Sequence, residues 1–138
     1  MKPFLVALLP VLLLASSVLA QETPPVKVET LLSTDKTVMG QPLALPKRDP
    51  VLIVSSYEIA PGARLARHKH PFSRYAYVLA GELIVEFDGG EQRRYRTGEF
   101  IVEAVDIWHF GRNPGSVLVR LLVIDQVEAG QSNTVLAK

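Results

Sequence analysis

Apolar and polar residues alternate with a period of two along several short stretches of this chain. Successive side chains of a β-strand point to opposite faces, so this alternation is typical of strands that bury one face. The helical period of 3.6 residues does not develop over any stretch of about ten residues. We therefore predict strands at residues 26–31, 51–59, 75–79, 82–87, 100–105 and 117–123.

Turn-forming residues separate these stretches at the short intervals expected of a sandwich or barrel. The clearest turn is Asp88-Gly89-Gly90, which predicts a β-hairpin between residues 83–87 and 93–96. Further turn signals are Pro61-Gly62, Gly81, Thr97-Gly98 and Asn113-Pro114-Gly115. The pattern predicts an all-β domain with closed sheets, because closure protects the edges of many short strands.

Residues 1–20 are predicted to be a secretory signal peptide. Lys2 precedes an apolar run, and Val18-Leu19-Ala20 offers the small residues that a signal peptidase accepts. The run is shorter than the ~20 residues that span a bilayer, and an uncleaved membrane anchor is the alternative interpretation. We expect a periplasmic or secreted protein without membrane contact after cleavage, with one domain over residues 21–130 and a polar C-terminal tail over residues 131–138.

Composition narrows the chemistry that this domain can perform. The chain of 138 residues is typical of a single domain, and the absence of cysteine excludes disulfides, thiolate zinc sites and thiol nucleophiles. Its 15 basic and 14 acidic residues are interspersed, so no basic stripe indicates nucleic acid as a partner. A G-x-S-x-G elbow, a P-loop and a dinucleotide fingerprint are also missing from the sequence.

The three histidines of the chain carry the candidate chemistry. His68 and His70 are two residues apart, and such residues of a strand point to the same face, so both imidazoles can reach one ion. His109 follows after an intervening hairpin. Neutral imidazole is a good ligand for Zn, Cu, Fe and Ni. The alternatives are surface histidines, or a core histidine that is hydrogen-bonded to the backbone.

The residues around the first two histidines resemble the first motif of the cupin superfamily, G-x5-H-x-H-x3,4-E-x6-G. Gly62, His68, His70 and Gly81 keep its spacing. Arg74 occupies the glutamate position, because only the three-residue register after His70 keeps the six-residue spacing to Gly81. The usual carboxylate ligand of this motif is therefore missing.

The residues around the third histidine resemble the second cupin motif, G-x5-P-x-G-x2-H-x3-N. Gly98, His109 and Asn113 keep its spacing, whereas Ala104 and Asp106 replace the proline and the glycine. These replacements change the turn before His109 but remove no ligand. All three histidines thus fall on ligand positions of the two motifs.

The resemblance implies a single-domain jelly-roll barrel that binds one divalent transition metal through His68, His70 and His109. Fe, Zn, Cu, Mn and Ni all suit such a site, because affinity alone does not select iron. Three histidines without a carboxylate are similar to the ligand sets of some cupin dioxygenases, and they leave positions open for chemistry. Cupins are often dimers, so a homodimer is expected, with Tyr75 and Tyr77 as a natural interface if they face outward.

Arg74 is the first candidate catalytic residue. If the strand parity of His68 continues, the guanidinium points into the barrel and can bind a substrate carboxylate with two parallel hydrogen bonds. The alternative is a surface residue that forms an ion pair with Glu82 or Glu86. A divalent ion held by three neutral imidazoles also keeps its charge, so the site favours anions.

Glu103 is the second candidate catalytic residue, because it ends the predicted strand that leads to His109. It could serve as a fourth ligand or as a proton carrier, and the alternative is a solvated residue at the rim of the barrel. Asp106 and Trp108 flank the same turn and could line the mouth of the cavity, with plain core packing as the alternative for Trp108.

The function expected from these residues is metal-dependent chemistry on a small, anionic organic molecule, either dioxygenase-like oxidation or Lewis-acid catalysis. The alternative is a non-catalytic module that captures a small molecule or a metal, which the missing motif glutamate favours. A barrel without metal is the third interpretation.

Overall fold

The structure, a computed structural model, describes residues 25–138, and no helix occurs in that range. The strands are β1 (Pro50–Ile59), β2 (His68–Lys69), β3 (Arg74–Ala80), β4 (Glu82–Phe87), β5 (Gln92–Arg96), β6 (Phe100–Val102), β7 (His109–Arg112), β8 (Val119–Glu128) and β9 (Val135–Leu136). None of the described segments forms a helix that could cross a membrane. The all-β prediction is therefore confirmed for this part of the chain.

Two antiparallel sheets make up the domain. One has four strands in the order β1-β8-β3-β6, and the other has five in the order β5-β4-β7-β2-β9. Apolar residues from both sheets meet in one buried core, which includes Val78 and Leu121 of the first sheet and Val85 and Phe87 of the second. This pair of facing sheets agrees with the predicted jelly roll.

Most of the predicted strands occur close to their predicted bounds. The hairpin at Asp88-Gly89-Gly90 pairs β4 with β5, and β8 continues beyond its predicted end to Glu128. The strand predicted at residues 100–105 ends at Val102, because the backbone of Val105 is hydrogen-bonded to the side chain of Gln41 instead of to a neighbouring strand. The short strands β2 and β7, which carry histidines, were not predicted by alternation.

The strand predicted at residues 26–31 is wrong. These residues form no β-pairing, and the side chains of Val26, Val28 and Leu31 are exposed. Alternation is not sufficient for a strand, since the backbone also needs an edge with which to pair. The signal peptide predicted at residues 1–20 lies outside the described residues.

The polar tail expected at residues 131–138 contains a strand in the structure. Strand β9 pairs with β2, and the side chain of Asn133 is buried. Residues of this segment thus form hydrogen bonds inside the domain, and the five-stranded sheet extends to Leu136. The domain bounds at residues 21–130 stay a prediction.

Gly81 lies at the turn between β3 and β4, where the chain packs closely against the residues before β8. Its φ is +79°, and a Cβ atom built there would lie 2.8 Å from the backbone oxygen of Leu118. Gly89 has a φ of +96°, but a Cβ atom there would meet nothing within 4 Å. We expect Gly89→Ala to lower the free energy of unfolding by about 1 kcal/mol from backbone strain, and Gly81→Ala to lower it by at least about 3 kcal/mol. Urea unfolding measures both values, and equal losses would contradict the packing described.

Candidate metal centre

The three histidines come from neighbouring parts of the five-stranded sheet. His68 of β2 is the register partner of His109 of β7, and His70 follows β2 and forms an isolated bridge with Val105. The centroids of the three imidazole rings are 4.6, 4.8 and 4.9 Å apart. All three side chains are buried, and their candidate ligand atoms lie within 4.8 Å of one another. The predicted convergence of the histidines is thus present.

Each imidazole is oriented by a hydrogen bond from its Nδ1 atom to a backbone carbonyl. His68 donates to Ala66 over 2.7 Å, and His109 donates to Ile107 over 2.8 Å. His70 donates to the carbonyl of Asn133 over 2.6 Å. A carbonyl oxygen can only accept, so each Nδ1 atom must carry a proton, and each Nε2 atom is left as the nitrogen that a metal could bind. Histidine ligands of metals are usually held in this way.

Glu103 lies among the three histidines and not at the solvated rim. Its Oε2 atom is 3.0 Å from Nε2 of His70 and 3.2 Å from Nε2 of His109. The contact with His109 is a hydrogen bond in which a protonated Nε2 donates to Glu103, and a bound metal ion would replace that proton. Nε2 of His70 is buried without any hydrogen-bond partner. Glu103 therefore lies where a fourth ligand of a metal ion bound by the three histidines would lie.

The register of the four-stranded sheet explains how Glu103 reaches this position. Tyr75 pairs with Val102, and the backbone N–H of Glu103 donates to the carbonyl of Arg74 over 2.9 Å. Residues that face each other across two strands point to the same side of the sheet. Glu103, opposite the arginine at the motif glutamate position, thus places a carboxylate beside the histidines.

The charges of the site favour a cation among these four groups. Burial raises the pKa of Glu103, but the hydrogen bond with His109 and the contacts with His70 and Arg74 outweigh burial and hold the pKa below its usual range. Burial lowers the pKa of His109, but the hydrogen bond with Glu103 outweighs it and leaves the pKa raised. Burial also lowers the pKa of His68 to about 4, so this imidazole is neutral at pH 7.

The donor set fits a divalent transition metal. Ligands placed at right angles and about 2.1 Å from one ion lie about 3.0 Å apart, close to the separations of Glu103 from His70 and His109. Nε2 of His70 lies 3.0 Å from Oε2 of Glu103, and with the histidine proton on Nδ1 alone both atoms are acceptors that need a cation between them. A metal ion there would give this buried nitrogen, which has no hydrogen-bond partner, a group to bind.

Arg74 points into the barrel, as one of the two alternatives predicted. Its Nε and Nη2 atoms donate to the two carboxylate oxygens of Asp125 over 2.7 and 2.9 Å, and this ion pair is buried. Glu82 and Glu86, the partners of the surface alternative, instead pair with arginines of β5 and β7. The guanidinium therefore lies beside the histidines, with most of its hydrogen bonds already committed to Asp125.

The space in front of the histidines is a small cavity of about 30 Å³, enough for one or two water molecules. Its lining combines the polar groups His68, His109, Glu103 and Arg74 with apolar side chains such as those of Leu121 and Val123. A ligand that enters this cavity must be small or must displace side chains. A larger apolar groove of about 440 Å³ lies outside the four-stranded sheet, away from the histidines.

Asp106 and Trp108 do not line this cavity. Asp106 is exposed and forms an ion pair with Lys69, and it has a φ of +55° at the position of the motif glycine. Trp108 is half-buried, with Arg67 and Lys69 over its ring. Both residues therefore belong to the outer surface of the turn before His109.

Three residues near the centre were not predicted. Asp125 lies at an inward position of β8, opposite Arg74. The sequence could have indicated it, because its parity along β8 places an acidic residue on the buried face of the strand. Gln41 bonds both the N–H and the carbonyl of Val105, and Asn133 holds His70. Neither has a signal in the sequence, because each lies far along the chain from the histidines.

Both the sequence and the fold are similar to those of known proteins. A family model described as "Cupin domain" matches residues 55–125. Protein SchB of Streptomyces halstedii is 37% identical over 65 residues, which make up 46% of this chain and 46% of that protein. The chain thus spans about half the length of this curated relative.

Several solved structures share the fold. The polyketide cyclase RemF from Streptomyces resistomycificus has a TM-score of 0.54 and 22% identity, over 67% of this chain and 65% of that one. The DMSP lyase DddQ from Ruegeria pomeroyi DSS-3 has a TM-score of 0.54 and 22% identity, over 62% and 43%. An oxalate oxidase in complex with the substrate analogue glycolate has a TM-score of 0.53 and 24% identity, over 62% and 46%. At these sequence identities, the similarity to the solved structures shows a shared fold and no shared activity.

Titration of metal-free protein with Zn²⁺ tests the donor set. We expect one ion to bind, and at a free concentration of 100 times the dissociation constant the free energy of unfolding should rise by about 2.7 kcal/mol. His68→Ala should abolish this gain, whereas Lys69→Ala should keep it, because Lys69 contacts Asp106 on the outer surface. Calorimetric titration and urea unfolding measure both quantities. Wild-type affinity in His68→Ala would contradict the assignment.

Proposed function

This chain belongs to the cupin family, and from that premise we propose that it is a metal-dependent enzyme that acts on a small, anionic organic molecule. One observation carries the proposal: three buried imidazoles and the carboxylate of Glu103 lie together at the inner end of the cavity. With right angles between ligands, as the separations of Glu103 from His70 and His109 suggest, four protein ligands would leave two positions of a six-coordinate ion open for substrate.

His68, His70 and His109 would hold the metal, with Glu103 as the fourth ligand. A divalent ion bound there supplies Lewis-acid or oxygen chemistry. Imidazole and carboxylate ligands suit Fe, Zn, Cu, Mn and Ni, so the donor set does not select one of them. The structural neighbours include an oxidase, a lyase and a cyclase, which supports an enzyme in general without favouring one reaction.

The charges around the cavity support an anionic substrate. A divalent ion beside the carboxylate of Glu103 leaves one net positive charge, while the charges of Arg74 and Asp125 cancel each other. Nη1 of Arg74 is the guanidinium nitrogen left over from the pair with Asp125, and we assign to it the binding of a substrate carboxylate. The neighbouring oxidase binds glycolate, a small carboxylate, in agreement with this choice.

Glu103 would also act on protons during the reaction. Its lowered pKa keeps the carboxylate ionised at pH 7, so it can accept a proton from a bound substrate but has none to donate. The same carboxylate excludes a second anion from its own side of the site. Substrate is thus directed toward the face that Arg74 lines.

A non-catalytic binding module is the second candidate function. The small volume of the cavity favours it, because about 30 Å³ does not admit an organic acid without movement of side chains. In this case the site would retain a metal or a small anion without turnover. Recovery of an unchanged ligand from the protein distinguishes the module from the enzyme.

The outer face of the four-stranded sheet is proposed as the interface of a homodimer. Leu52 and Val54 are exposed there, and Tyr75 and Tyr77 lie on the same face. An isologous pair covers one such patch with the same patch of a second copy. The outward residues of β8 run from Arg120 through an apolar centre to Glu128, so antiparallel β8 strands in the two copies place opposite charges together.

Export to the periplasm or the medium is also proposed. It depends on the basic start, the apolar run and the small residues before Gln21, all within residues that the structure does not describe.

An activity screen tests the enzyme directly. Tag-free protein loaded in turn with Fe²⁺, Zn²⁺ and Mn²⁺ is incubated with a panel of small carboxylic acids and their neutral amides, with and without oxygen. We expect mass spectrometry to detect a product from at least one acid and none from its amide. Glu103→Gln should reduce the rate by about 100-fold or more, because it removes the proton acceptor. Glu91→Gln, which changes an exposed hairpin residue, is the control. Unchanged acids with every metal would contradict the enzyme and favour the module.

Sedimentation velocity tests the dimer interface. Leu52 and Val117 each expose 61% of their surface, but Val117 lies in the loop before β8. We expect Leu52→Lys to convert dimers into monomers, because it buries a charge in the apolar patch. Val117→Lys should leave the dimers intact. A monomeric wild type, or dimers of Leu52→Lys at the wild-type affinity, would contradict this interface.

A further inference from the structure

Residues 131–137 form a segment that we call the C-terminal strap, which lies across the side of the metal centre. Its strand β9 pairs with β2, with Leu136 as the register partner of His68. The backbone N–H of Ala137 donates to the carbonyl of Arg67 over 3.0 Å. The strap thus pairs with the strand that carries one ligand and continues toward the second.

Asn133 of the strap holds that second ligand. Its backbone carbonyl accepts the Nδ1 proton of His70 over 2.6 Å, the shortest of the three bonds that orient the imidazoles. The carbonyls that orient His68 and His109 lie two residues before each histidine. His70 alone depends on a residue 63 positions away in the chain. Its orientation therefore requires that the strap be docked.

The side chain of Asn133 fixes the position of its own carbonyl. Its Oδ1 accepts the backbone N–H of Phe72 over 2.8 Å, two residues after His70. Its Nδ2 donates to Oδ1 of Asp125 over 2.6 Å and contacts the carbonyl of Ser73 at 3.4 Å. This buried side chain thus joins the strap to the loop that carries His70 and to β8.

The ion pair of Arg74 and Asp125 completes the attachment of the strap. Asp125 accepts hydrogen bonds from Arg74 and from Asn133, and Nη2 of Arg74 also lies 3.2 Å from Oγ1 of Thr134. Two consecutive residues of the strap therefore bind the same buried pair. The residue at the motif glutamate position contributes in this way to the orientation of a histidine.

We infer that Asn133 is a positioning residue of the metal centre, and that the strap presents Nε2 of His70 to the metal by fixing the tautomer and the ring orientation of this histidine. The inference rests on the proposed metal site. Partners that orient a metal-binding histidine typically change metal affinity about 10- to 100-fold when they are removed. The side chain of Asn133 forms no hydrogen bond with any of the three histidines, so its effect on them runs through the carbonyl that holds His70 and through Asp125.

A matched pair of buried asparagines tests the inference. Asn113 is 2% exposed and Asn133 is 4% exposed, and each side chain forms two contacts through Nδ2 and one through Oδ1. The partners of Asn113 are Ile59, Gly115 and Val117, which lie outside the centre. Zn²⁺ affinity is measured by calorimetry on both alanine variants, and stability by urea unfolding.

We expect Asn133→Ala to weaken Zn²⁺ binding about 10- to 100-fold, and Asn113→Ala to change it by less than about threefold despite a similar loss of stability. Equal effects of the two variants on affinity would overturn the inference. If Asn133→Ala does not fold, Asn133→Ser replaces it, because a hydroxyl can still accept the N–H of Phe72. The same ranking is expected for this milder change.

Nitrogen NMR of the metal-free protein separates this inference from the proposed metal site. We expect Nδ1 of His70 to be fully protonated in the wild type, as the donor to Asn133, and partly deprotonated in Asn133→Ala. An Nδ1 atom that stays fully protonated in the variant would overturn the positioning role. If the wild type binds no divalent metal but the protonation of this Nδ1 atom still depends on Asn133, the proposed metal site fails while the positioning of His70 stands.

Discussion

Three hydrogen bonds from imidazole Nδ1 atoms to backbone carbonyls are the constraint on which the centre depends. They require a proton on the outer Nδ1 atoms of His68, His70 and His109 and turn the Nε2 atoms toward the interior of the site. A side-chain partner could rotate or ionise, whereas a carbonyl in a folded backbone does neither. The orientation of the ligands is therefore a property of the fold itself, established before any metal arrives.

The sheets explain why the centre tolerates an arginine where the family motif has a glutamate. Arg74 and Glu103 lie opposite each other on neighbouring strands and share the inner face. The carboxylate of Glu103 lies beside the histidines, so the site has a negative charge although the motif position holds an arginine. The arginine then needs a buried partner of its own, which Asp125 provides. A lone guanidinium in this position would be unfavourable, because removal of one member of a buried pair typically costs about 3–5 kcal/mol.

Much of the fold and the three candidate histidine ligands could be predicted, because both depend on patterns between residues that are close together in the sequence. Period-two alternation predicts strands such as β4 and β8 directly. The spacing of His68 and His70 indicates that both imidazoles point to the same side of a strand. The residues that orient or complete the site have no such local pattern. Asn133 lies in a short polar segment that resembles any chain terminus, and its partner His70 is 63 positions away. The sequence identifies Glu103 as a candidate residue but does not show that it lies among the histidines, because its position depends on the register of β3 against β6.

X-ray absorption of the Zn²⁺-loaded protein tests the central claim most directly, because it counts the atoms bound to the ion. We predict a shell that includes three imidazole nitrogens and one carboxylate oxygen at about 2.0–2.2 Å beside bound water, with the outer-shell scattering that imidazole rings produce. In Glu103→Gln the carboxylate oxygen should be replaced while the three nitrogens remain. A shell of oxygen atoms, or one with fewer than two imidazoles, would contradict the convergence of Nε2 atoms on a single ion.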